Sequence, residues 1–98
     1  MTTPTTPTPA AEFSAALDEA ESTMSAAVAM AWAEYDDTRA ALDAEHGNPA
    51  YDEPGHNTKA HLLDEAAKRR DRLVLAASNA YDVSRTAARE RLAASSNS

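Results

Sequence analysis

Large apolar residues in the first half of the chain fall at Phe13, Leu17, Met24, Val28, Tyr35 and Leu42, with Ala20 and Ala31 between them. Such steps keep one narrow stripe on a helix of about 3.6 residues per turn. Phe13, Met24 and Tyr35 recur every eleven residues. A period of about 3.67 keeps the stripe nearly straight and departs from the heptad that winds a left-handed supercoil. The second half carries a matching row at Leu63, Ala66, Arg70, Val74, Ala77, Tyr81 and Ala88. The pattern predicts an all-α chain of two long helices, each apolar on one side.

The two rows are related by more than period. Leu17-Asp18-Glu19-Ala20 returns 46 residues later as Leu63-Asp64-Glu65-Ala66, and ten of thirty positions agree across 17–46 and 63–92. An internal repeat of this length, each copy one helix, predicts a helix written twice around a single hinge.

Turn and cap residues place the ends. Thr8 can cap, Pro9 suits the first helical position, and Glu12 in the first turn complements the helix dipole. His46 precedes Gly47, a left-handed stop, and Pro49 bars continuation. The expected organisation is a Thr/Pro arm at 1–8 and a hairpin over 9–95, with 96–98 as a tail. Within the hairpin the first helix spans 9–46, the hinge 47–57 and the second helix 58–94, capped by Asn57 or Thr58. Pro54-Gly55 suits a type II turn, and Tyr51 is expected to cover the apolar end of the hairpin.

Folding one copy back on the other predicts an antiparallel register in which facing residue numbers add to about 105. Phe13 then meets Leu92, Leu17 meets Ala88, Met24 meets Tyr81, Val28 meets Ala77, Ala31 meets Val74, Tyr35 meets Arg70 and Leu42 meets Leu63. Large side chains mostly oppose small ones, as close helix packing requires.

Composition sharpens this. Ala fills 24 of 98 positions while Gly occurs twice and Phe once. Such a chain forms helix readily but offers few large side chains for a core. A net charge of −7 hides a split: residues 1–56 carry eleven carboxylates and Arg39 alone, whereas 57–98 carry eight Lys or Arg and five carboxylates. The expectation is an acidic helix lying beside a basic one. Overall acidity disfavours nucleic acid as a partner, because binding phosphates needs an excess of cations. No apolar run approaches the roughly 20 residues of a membrane span, and Met1-Thr2-Thr3-Pro4 does not open a signal peptide.

Met30, Trp32, Leu62, Leu73, Leu75 and Val83 lie off the stripes. Burying five or six such side chains would yield on the order of 8–15 kcal/mol gross, and two helices alone cannot cover them. These residues are therefore the expected interface, with Trp32 as anchor because aromatic side chains dominate interface energetics. The hairpin is expected to complete a helical bundle by oligomerisation or to dock on a larger assembly.

No catalytic set or cofactor motif is present. There is no Cys and no Gly-rich phosphate loop, and no Ser has a His base at helical spacing. His46, His56 and His61 cluster around the hinge among carboxylates, but their spacing matches no metal-ligand motif. His46 suits a helix C-terminus, and His61 can pair with Glu65.

Val83-Ser84-Arg85-Thr86, with Arg89-Glu90 and Leu92, resembles the recognition-helix segment of GntR-type DNA-binding regulators over about ten residues. Asp82 stands where that motif has Gly, and Ala88 where it has Val. The resemblance implies a nucleic-acid-binding regulator reading through Arg85, Arg89 and Arg91. Tyr-Asp-x-(Thr/Ser)-Arg-x-Ala occurs also at Tyr35–Ala41, which a shared repeat explains and a recognition helix does not. In length and hairpin shape the chain is similar to the Trp-x-Gly hairpins of type VII secretion, although Trp32 stands mid-helix and the turn has Gly47 without Trp.

The function expected is therefore a non-enzymatic structural or adaptor protein acting through helix–helix contacts with itself or a larger protein assembly. The Ala-rich, Lys-poor composition fits a phage or plasmid-type accessory or assembly component, cytoplasmic or assembly-associated (a virion included). Nucleic-acid regulation is the alternative, and neither metal, cofactor nor membrane is expected.

Overall fold

The computed structural model describes residues 8–96; the predicted arm over 1–7 and residues 97–98 lie outside the described range. Two helices, α1 (Pro9–His46) and α2 (His56–Ser96), pack against each other along their length. No described residue is in a strand. No helix among the described residues is long and apolar enough to cross a membrane.

The start of α1 follows its residues. Thr8 is extended and its Oγ1 accepts the Ala11 N–H at 3.1 Å, while the Thr8 carbonyl accepts the Glu12 N–H at 2.9 Å. Pro9 loses nothing there, since its missing N–H would have had no helical partner. At the other end the Gly47 N–H donates to the Asp43 carbonyl at 2.8 Å. Gly47 has φ 66° and ψ −141°. That ψ departs from the expected left-handed stop and sits close to a region essentially reserved for glycine.

Two consecutive turns fill the hinge. The Glu53 N–H donates to Ala50 at 2.9 Å and the His56 N–H to Glu53 at 3.3 Å. Pro54 and Gly55 are central to the second, and Gly55 has φ 97°, the positive value a type II turn demands at that place. The helix after it begins earlier than expected. The Lys59 N–H donates to the Gly55 carbonyl at 2.8 Å, so Gly55, not Asn57 or Thr58, is the capping residue. These short turns consume the hinge quickly and leave His56 free to be helical.

The seam between the helices is made of small residues. Ala20, Ala31, Leu42, Ala77 and Ala88 are buried, and no large side chain among the described residues is fully buried. Phe13, Leu17, Met24, Val28 and Tyr35 of α1 are half-buried, as are Leu63, Ala66, Arg70, Val74 and Tyr81 of α2. Both predicted stripes therefore face inward. The register holds at its most telling pair, with the Arg70 guanidinium 4.6 Å from the Tyr35 ring centre. Alanine at the seam lets the backbones approach, and the lost bulk is compensated by contact density.

Candidate functional site

A helix turns about 100° per residue, so positions can be sorted to either side of the seam. On α2, counting from buried Ala77, Leu62, Leu73, Ala80, Ser84 and Ala87 fall on one side, and Asp71, Ser78 and Arg85 on the other. On α1, counting from Ala31, Ala16, Ala20, Thr23, Glu34 and Thr38 share the first side, whereas Trp32, Asp36, Arg39 and Asp43 take the second. The two sides of the hairpin differ in chemistry.

The first side carries two shallow grooves along the seam. One lies toward the hinge, between Thr38 and Leu42 of α1 and Leu62 and Leu73 of α2. The other lies toward the chain ends, between Ala16 and Thr23 of α1 and Ala80 and Val83 of α2. Charge marks the ends of this side: Arg69 Nε donates to Glu34 Oε1 at 2.6 Å at the first groove, and Glu19 and Arg91 line the second. Between them, from Leu73 to Ser84, about three turns present no charge over the seam.

The second side is fastened by charge and aromatic rings. Arg70 crosses the seam and lays its guanidinium 4.3 Å from the Trp32 ring centre as well as 4.6 Å from that of Tyr35. The two rings meet edge to face at 6.1 Å, and Asp71 Oδ1 accepts from Arg70 Nη2 at 3.0 Å. Nearer the hinge, Lys59 Nζ reaches Asp43 at 2.7 Å and the Gly47 carbonyl at 2.5 Å. The Lys59 ammonium, bonded to the Asp43 carboxylate, holds that acid below its ordinary value. On the outer surface of α2, Asp64 and Glu65 hold the Lys68 ammonium above its ordinary range, with Asp64 at 3.0 Å.

The six off-stripe residues are exposed, from Leu73 at 36% and Leu62 at 40% through Trp32 at 47% to Leu75, Val83 and Met30 at 61–73%. They do not form one patch. Leu62, Leu73 and Val83 line the grooved side, with Met30 at its α1 edge. Leu75 points to the back of α2, and Trp32 lies under Arg70 on the fastened side. The sequence makes Trp32 the expected interface anchor; about half of it stays exposed while Arg70 lies over its ring. The missed signal was Arg70 within an otherwise apolar row, a long cation able to reach a ring across the seam.

The three arginines of the regulator reading are also divided. Arg85 and Arg89 share the fastened side, whereas Arg91 lines the grooves opposite. Arg85 lies 5.8 Å from the Tyr81 ring centre and 3.5 Å from Asp82, and its buried Nε has no hydrogen-bond partner. At the hinge, His56 Nδ1 is 3.5 Å from the Pro49 carbonyl and its ring meets that of Tyr51 at a tilt of 57°, centres 5.2 Å apart. Tyr51 is 87% exposed, so it packs on His56 and does not cover the apolar end. No three His, Asp or Glu side chains converge as metal ligands would among the described residues.

Comparison of the chain with family models, with curated proteins and with solved structures finds no match to any of them.

Proposed function

We propose that this chain is a non-enzymatic structural or adaptor protein that works by helix–helix contact, and that it associates with itself to complete a bundle. The 46-residue internal repeat supports a duplicated helix as its origin. The observation that carries the reading is the exposed apolar set Met30, Leu62, Leu73, Leu75 and Val83 on a hairpin whose own seam is mostly alanine. A two-helix body buries too little to be more than marginally stable alone. Covering Leu62, Leu73 and Val83 would add several kcal/mol, at about 1.5–3 kcal/mol per side chain.

Sedimentation equilibrium tests it. The expected result is a dimer or larger closed species at micromolar concentration, shifted toward monomer by Leu73→Glu and Val83→Glu together. A wild-type chain that stays monomeric at high concentration, with full helicity, overturns the proposal.

A further inference from the structure

The grooved side has an area and a charge layout that select one occupant and one orientation. At about 1.5 Å per residue and 10 Å per helix diameter, two helices of this length present roughly 1,100 Å² on one side. A stable interface of ordinary size buries about 800 Å² per partner. One side of the hairpin is thus enough for a second copy, and the uncharged turns from Leu73 to Ser84 allow close approach without stranding a charge.

Charge decides how the copies lie. α1 carries nine carboxylates and Arg39, whereas α2 carries eight Lys or Arg and five carboxylates. Two copies can meet on the same side in two symmetric ways. A two-fold axis across the helices puts α1 on α1 and α2 on α2, so the acidic helices confront each other. A two-fold axis along the helices puts α1 of each copy on α2 of the other. It also preserves axial level. Glu34 and Arg69 already share a level at 2.6 Å, so Glu34 of each copy would fall over Arg69 of the other. Neighbouring helices are antiparallel in both arrangements, so their dipoles do not choose between them and the charges do.

We propose that a second copy of this chain docks on the grooved side by rotation about the long axis, with α1 against α2 at each contact and both hinges at one end. This rests on the self-association proposed above. The chain contains no Cys, so Tyr51→Cys, at the 87% exposed hinge position, gives a single labelling site. Spin labels there should lie about 20–30 Å apart, the width of two helices, by pulsed dipolar spectroscopy. The crossed axis would separate them by more than about 50 Å, one helix length.

Exposed Ala80 over the seam and exposed Ser25 on the other side of the molecule identify the docking side. Ala80→Arg should weaken the dimer at least tenfold with helicity unchanged, and Ser25→Arg should leave it intact. A long distance in a stable dimer overturns the orientation. Loss of the dimer in Ser25→Arg but not in Ala80→Arg overturns the side. A wild-type monomer overturns instead the self-association on which both stand.

Discussion

Tyr35 and Tyr81 occupy matching places in their two helices, 46 residues apart, yet they find their cations differently. Tyr35 takes Arg70 from the facing helix at 4.6 Å, and Tyr81 takes Arg85 from its own helix at 5.8 Å. The first contact ties the helices together; the second spans one turn of a single helix. The Glu34–Arg69 and Asp43–Lys59 pairs also cross the seam in the hinge half. Toward the chain ends the buried residues are Ala20, Ala77 and Ala88. Ala31 and Leu42 are buried in the hinge half too, so fit runs along the whole seam and the hinge half adds reach and charge. Fit fails when volume changes, and reach fails when a long side chain is cut.

The largest effect should come from disturbing the fit. Ala88 is 3% exposed, and Ala88→Leu forces the helices apart at a cost of about 2–3 kcal/mol. Denaturant melts should record that loss. Amide exchange should accelerate over residues near 13–24 and 81–92 while the hinge half stays protected. Uniform acceleration in both halves would break the contrast.

Gly47→Ala comes next. Nothing lies within 4 Å of an added Cβ, so the cost is backbone strain alone, about 1–2 kcal/mol. The loss should appear as faster exchange of the last turn of α1. Arg70→Ala should cost about 1–2 kcal/mol through both ring contacts. It would also uncover the indole of Trp32, the only Trp, so fluorescence emission should shift to the red. Unshifted emission would mean that Arg70 does not cover the ring.

The smallest effect is at the hinge and depends on pH. The Asp43 carboxyl is held below its ordinary value of 3.8 by Lys59. A lowered folded value means that the pair contributes above the unfolded value and is lost as pH falls through the folded one. The Asp43 carboxyl carbon should therefore titrate below 3.8 by NMR, and Lys59→Met should return it upward. Because the Asp43 carboxylate is solvent-exposed, global stability should change little.

Much of this fold is legible in the residues. The row from Phe13 to Leu42, its partner from Leu63 to Ala88, and the Thr8–Pro9 start follow from helical period and capping chemistry, which are local. The Tyr35–Arg70 pair follows from the antiparallel register. What escaped depends on reach or on turn geometry. A wheel gives directions, so it left Trp32 free; it does not show that Arg70 is long enough to cover the ring. Composition marked 47–57 as a hinge but did not reveal that two successive turns would make Gly55 the cap, or that Gly47 would take ψ −141°. The exposed leucines and valine were visible for a simple reason: the helical wheel sets them off the two inward stripes.

The alanine seam changes how mutagenesis of this chain must be read. Truncation scanning replaces each side chain with a methyl group, and four of the five positions buried among the described residues already carry one. Such a survey would pass silently over the places where the molecule is least forgiving. Enlargement, residue by residue, is the probe that would map its fragile line.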